Sequence, residues 1–193
     1  MNGNVSLDDL SNKAVEIAKR RQAAATAVIK LFDEEKTTLQ GHPGTVLYAA
    51  SWLAGTSLYR SLGHADHMEP GVIVLSAKAD QQIPSLMKAF MFLLGKDGVE
   101  LKADEFVAKI PEAVRPRKTL LQIQEHFQDR YNEIMREHAF DYIEGAKTGA
   151  VVCALLVKIY TLRRKDMETR LAASIVSLGF IEGAKTVPAP LKK

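Results

Sequence analysis

Cysteine is almost missing: Cys153 is the only one in 193 residues, so neither an intramolecular disulfide nor a thiolate metal cluster can form. The opening residues, Met1-Asn2-Gly3-Asn4-Val5-Ser6-Leu7-Asp8-Asp9, carry no basic stretch followed by an apolar run. No secretory leader is therefore expected, and a reducing cytoplasmic setting follows. A dominant charge is lacking as well. The 26 basic and 23 acidic residues leave +3 and are mixed along the chain, without the concentrated basic field of a specific nucleic-acid binder. Long hydrophobic runs are missing too. Pro43 to Tyr59 is uncharged but diluted by Thr45, Ser51, Thr56, Ser57, Gly44 and Gly55, and Thr148 to Val157 stops at Lys158. A membrane span needs about 20 predominantly apolar residues, so both runs read as helices buried on all sides and no membrane partner is expected.

Catalytic motifs are absent. Gly145-Ala146-Lys147-Thr148 glances at a phosphate-binding loop but lacks the glycine immediately before Lys-Thr, the glycine five positions earlier and a strand feeding in. A non-enzymatic protein is the favoured expectation. What the sequence does hold is an ordinary globular mixture, 47% hydrophobic and 25% charged, ample for a single domain with its own core.

Periodicity makes that domain all-α, an irregular bundle of six to seven helices around two apolar central ones, 44–62 and 149–164. Ser6-Leu7-Asp8-Asp9 has the form of a capping box. From there Leu7, Leu10, Ala14, Ile17, Ala18, Ala25, Val28, Phe32 and Leu39 recur at helical spacing, predicting a helix over 7–39. Gly41-His42-Pro43-Gly44 ends it and starts the next, which stops at Gly63. On that second helix Ala50, Ala54, Ser57 and Ser61 form a ridge of small side chains that lets another backbone approach. The chosen partner is the row Gly145, Gly149, Cys153.

Val72-Ile73-Val74-Leu75 has β-propensity, but no second strand offers itself and a lone strand leaves its ladder unsatisfied, so 71–79 is read as helix. Asp80 or Pro84 opens a further helix to Leu94, closed by Gly95, and a short one is expected from Asp104 to Ile110. Thr119-Leu120-Leu121-Gln122 is a second capping box, followed by the stripe Leu120, Ile123, Phe127, Tyr131, Ile134, His138, Tyr142. Unbroken to Leu162 this helix would be roughly 64 Å long, against a radius of gyration of about 16 Å for a chain of this size. A break is expected at Gly145–Gly149. The near-copies Tyr142-Ile143-Glu144-Gly145-Ala146-Lys147-Thr148 and Phe180-Ile181-Glu182-Gly183-Ala184-Lys185-Thr186 suggest that each glycine is a helix stop. Helices then fill 149–164 and 166–182, with Asp166 as the cap between them, and 187–193 is a loose tail.

Four groups of residues could carry chemistry. His138 lies in the apolar stripe with Asp141 near it, and Glu35 and Arg21 lie on the apolar side of helix one. Buried carboxylates and histidine are how bundles hold metal ions, although the Glu-x-x-His pattern is not met, and a core histidine beside an Arg21–Glu35 pair explains the same residues. His64, Asp66, His67 and Glu69 crowd the segment after Gly63, where two imidazoles three apart can share a metal; a solvated loop looks the same. Arg115, Arg117 and Lys118 precede the Thr119 cap, where cations beside the positive end of a helix call for an acidic or phosphate-bearing partner, or for carboxylates of the chain itself. Cys153, in an apolar helix, reads as an inert thiol. Trp52, Tyr48 and Tyr59 read as core or subunit interface.

Two functions remain open. One is an association module, most simply a homo-oligomer, using excess apolar surface such as the Met- and Phe-rich Leu86–Leu94. The other is a bundle holding a metal ion or small ligand through His138 with Asp141 and Glu35, or through His64 and His67.

Overall fold

A computed structural model describes residues 7–63, 68–102, 105–106 and 109–191. The expected all-α bundle is what forms: six helices, with no strand among the described residues. Helix α1 spans Leu7–Glu34, α2 Pro43–Ser61 and α3 Ala77–Gly95. Helix α4 is assembled from Leu120–Ile123, a π turn Gln124–Gln128, and Asp129–Glu137. Helix α5, Tyr142–Lys158, continues through a π turn Ile159–Arg163, and α6 spans Thr169–Lys185.

The centre of the bundle is α2, buried at every position from Gly44 to Tyr59. A helix apolar all round must be enclosed, and small residues let its neighbours come close. On one side the expected ridge meets the expected row: a Cβ on Gly145 would lie 3.6 Å from Ser57 Oγ, and one on Gly149 would lie 2.8 Å from Tyr131 OH and strike Ala54. On the other side Ser51, Trp52 and Gly55 meet Gly179 and Gly183 of α6, a crossing the sequence reading did not anticipate. A Cβ on Gly55 would stand 2.6 Å from the Phe180 carbonyl and 2.9 Å from Gly183 Cα. The seven-residue repeat therefore supplies Gly145 and Gly183 as contact points on α2. Neither is a helix stop, because Gly145 lies in the first turn of α5 and α6 runs on to Lys185.

The break expected at Gly145–Gly149 falls earlier, over His138–Asp141. Ala139 takes the left-handed conformation (φ 54); its N–H donates to the Arg136 carbonyl (2.9 Å) and that of Phe140 to the Met135 carbonyl (2.9 Å). This is a Schellman closure with alanine where glycine is usual, and it sets Phe140 against Met135. Asp141 then caps α5, accepting from the Glu144 N–H at 2.8 Å. Tyr142–Arg163 is thereby 22 residues long and by length and composition could cross a membrane, yet 61% of its most apolar 18-residue window is buried inside the bundle, the setting of a core helix.

Other boundaries shift. Helix α1 ends at Glu34, and residues 9–19 are exposed apart from a half-buried Ile17, so its first turns stand clear of the core. Gly71 lies in a left-handed turn (φ 88) and 72–76 is extended: the Gly71 N–H donates to the Val187 carbonyl (2.8 Å), Val74 to Lys185 (2.7 Å) and Val187 to Val72 (2.9 Å). The partner strand missing from the sequence reading is the end of α6 and its tail. Ser76 starts α3 by accepting from the Ala79 N–H, with Pro84 inside the helix. Glu168, not Asp166, precedes α6. As far as residue 191 the tail is not loose, because Val187 and Pro188 are buried. Ser6 and Asp104 lie outside the described residues.

Candidate functional site

Among the described residues, His138, Asp141 and Glu35 do not converge. His138 is half-buried at the end of α4, and its carbonyl, not its ring, is engaged, accepting from Arg20 Nη1 (3.4 Å). Asp141 is an exposed cap, while Glu35 lies past the end of α1 and accepts from Thr38 Oγ1 (2.9 Å). Arg21 pairs with Glu144, not Glu35. Among the described residues no three His, Cys, Asp or Glu side chains form a group that could hold a metal ion; His64, Asp66 and His67 lie outside those residues. Arg115 is paired with Glu112 at 2.8 Å. The Thr119 capping box occupies N–H groups that an anion at this helix start would use.

Polar chemistry concentrates instead at the turn between α4 and α5. Arg20 and Arg21 stack over the Phe140 ring at 5.3 and 6.0 Å, and Glu144 takes both Arg21 and Lys147 (2.6 Å). Partial burial opposes ionisation of Glu144, but the Lys147 hydrogen bond and the Arg21 guanidinium outweigh it and hold the carboxyl below the usual carboxylate range. Burial pushes the Tyr131 hydroxyl up as it donates to the Gly145 carbonyl at 2.7 Å, and it pushes the Cys153 thiol up in the same way. That agrees with an inert cysteine. Trp52, Tyr48 and Tyr59 are core, as one of their two readings had it, and Tyr48 donates to Glu182.

Helix α4 carries a feature the sequence reading passed over: Gln124, Gln128 and Asn132, spaced four apart, are all buried. Gln124 Oε1 accepts the Ala189 N–H (3.1 Å), and Gln128 Nε2 and Arg60 Nη2 donate to the Ala189 carbonyl (3.1 and 2.7 Å). Amides thus grip the backbone of the tail between two prolines. Asn132, next in the row, lines a cleft of about 310 Å³ with Ser57, Met135, Phe140, Tyr142 and Leu191. An i, i+4, i+8 run of amides beside an apolar stripe was the available signal.

Exposed apolar surface gathers on the extended segment. Leu75 is 94% exposed and Ile73 73%, with Val72 beside them. Leu121, also exposed, lies 4.0 Å from where a Gly71 Cβ would be. The Ile73–Thr186 bridge is the wide kind of antiparallel pair, which turns the Ile73 N–H and carbonyl outward. Leu86–Leu94 contributes less than expected, because Leu86, Phe90 and Leu94 enter the core and only Phe92 is left out, with Lys96 Nζ over its ring at 4.8 Å.

Comparison with protein-family models, curated proteins and solved structures finds no match.

Proposed function

We propose that this protein is an association module that forms a homodimer through the outer edge of segment 72–75. The observation that carries the reading is a stretch of extended backbone that, among the described residues, is paired on one side only, bearing Ile73 and Leu75 in the open. Exposed strand edges are usually blunted with lysine, proline or a cover; Val72-Ile73-Val74-Leu75 holds no charge to do so. An isologous antiparallel pairing centred on Ile73 exchanges two hydrogen bonds between the Ile73 residues of the two copies. The same register brings Leu75 of each copy towards the Gly71 turn of the other, beside its exposed Leu121. Support also comes from Arg21, Glu35 and His138, which stand apart and not around a shared centre.

So short an edge buries well under the roughly 800 Å² per partner of a standard interface, and weak, concentration-dependent association is expected. Sedimentation velocity over a dilution series tests this. Wild type is expected to pass from dimer to monomer across that range, Leu75→Lys to remain monomeric with an unchanged helical signal, and Phe92→Lys to behave as wild type. A monomer at every concentration, or a Leu75→Lys protein that dimerises normally, refutes the reading.

A further inference from the structure

We infer that the cleft between the end of α4 and the start of α5 is a binding site for a small, mainly apolar molecule carrying a carbonyl oxygen. The Schellman closure builds it: the left-handed Ala139 throws Phe140 back onto Met135, and these two form one wall with Leu191 of the tail facing them. Its volume of about 310 Å³ lies at the small end of ligand pockets, which are apolar with a few placed polar groups.

Arg136 and Asp141, both exposed, also line the cleft; its buried polar group without a partner is Asn132. It is only 8% exposed, and its Nδ2 is buried with no hydrogen-bond partner. A buried donor without an acceptor is costly, so a partner is expected, and the row in which Asn132 sits says what kind. One turn earlier Gln128 Nε2 donates to a peptide carbonyl, and two turns earlier Gln124 Oε1 takes a peptide N–H. Asn132 carries the same kind of amide in the wall of the cleft, and its unpaired Nδ2 selects an acceptor oxygen on an otherwise apolar ligand. Ser57 adds no competing demand, since its hydroxyl is buried beside Tyr131 and Gly145. This site is independent of the edge at 72–75, and dimerisation is not required for it.

Acetophenone and ethylbenzene have nearly the same shape and differ in the carbonyl. Titrated into protein labelled on methionine methyls, acetophenone is expected to shift the Met135 signal saturably and to bind about tenfold more tightly than ethylbenzene, the fold-change of one hydrogen bond to an otherwise unpaired donor. Asn132→Leu should erase that preference while leaving ethylbenzene bound, and Met135→Trp, which fills the cleft, should abolish both. Equal affinity of wild type for the two probes overturns the inference without any variant. So does a Met135 signal that neither probe moves, or acetophenone binding that survives Met135→Trp.

Discussion

Replacing Gly55 by alanine adds one methyl group where α2 and α6 cross. The new Cβ would lie 2.6 Å from the Phe180 carbonyl oxygen, 2.8 Å from the Ala184 nitrogen and 2.9 Å from Gly183 Cα. All three are backbone atoms of a helix, so no side chain can swing aside. Ordinary Cβ contacts lie beyond about 3.4 Å, and the helices must separate by roughly 0.8 Å locally. Gaps of that size forfeit a quarter to a half of the attraction between the surfaces, and overpacking of this kind costs about 1–3 kcal/mol. We take about 3 kcal/mol, because the whole length of the crossing has to open. Alanine returns about 1 kcal/mol of helix propensity, for a net loss near 2 kcal/mol. In a protein of this size that lowers the melting temperature by about 4–8 °C. Gly95→Ala is the control: nothing lies within 4 Å of its added Cβ, so propensity acts alone and the change is neutral or slightly stabilising. Thermal unfolding followed by circular dichroism reads both. A Gly55→Ala protein as stable as wild type would refute the close-crossing argument.

Three further changes test other parts of the structure. Ala139→Gly relieves a left-handed alanine and should stabilise by about 0.5–1 kcal/mol in urea titrations, whereas a loss would mean that the turn is not closed as described. His42 accepts the Thr45 N–H through Nδ1 (3.2 Å) and reaches the Ala113 carbonyl through Nε2 (2.9 Å), so His42→Ala loses a cap and a buried hydrogen bond, about 2 kcal/mol. That variant should also speed trypsin cleavage at Arg117 and Lys118, and His42→Asn, keeping only the cap, should recover part of the stability. Glu144 has its folded-state ionisation shifted down, so its contribution is present above the ordinary value near 4.5 and disappears as pH falls through the lower folded value. Glu144→Gln should therefore cost under about 1 kcal/mol at pH 7, for a pair this exposed, and nothing in strong acid. An equal cost at both pH values contradicts the assignment.

How much of this could be read in the sequence depended on whether the signal was local. Helix α2 was legible because an uncharged run with proline near its start and glycine after its end is self-contained, and the Ala54 and Ser57 ridge met Gly145 and Gly149 because small residues at helical spacing have one use. The opposite crossing escaped notice because Gly183 looked like a stop; which face of α6 it shares with Gly179 is a tertiary fact. The α4–α5 break was hidden because its left-handed residue is Ala139, and alanine gives no turn signal. Segment 72–75 was read as helix for want of a strand partner, which turned out to be backbone at 185–187, more than a hundred residues away and lying at a helix end. The argument that excluded a strand, an unsatisfied ladder, now applies to its outer edge. His138 drew attention as an imidazole in an apolar stripe, while Asn132, one position along from Tyr131, was passed over because the amide row was not counted.

Amide hydrogen exchange at Ile73, measured as a function of protein concentration, tests the central claim most directly. In the monomer the Ile73 N–H faces outward and should exchange rapidly; in the dimer it donates to the second copy. Protection of Ile73 that rises with concentration, while the Val74 amide bonded to Lys185 stays protected throughout, is the predicted result. Rapid exchange at Ile73 in a solution that sedimentation shows to be dimeric would place the interface elsewhere and contradict the edge pairing.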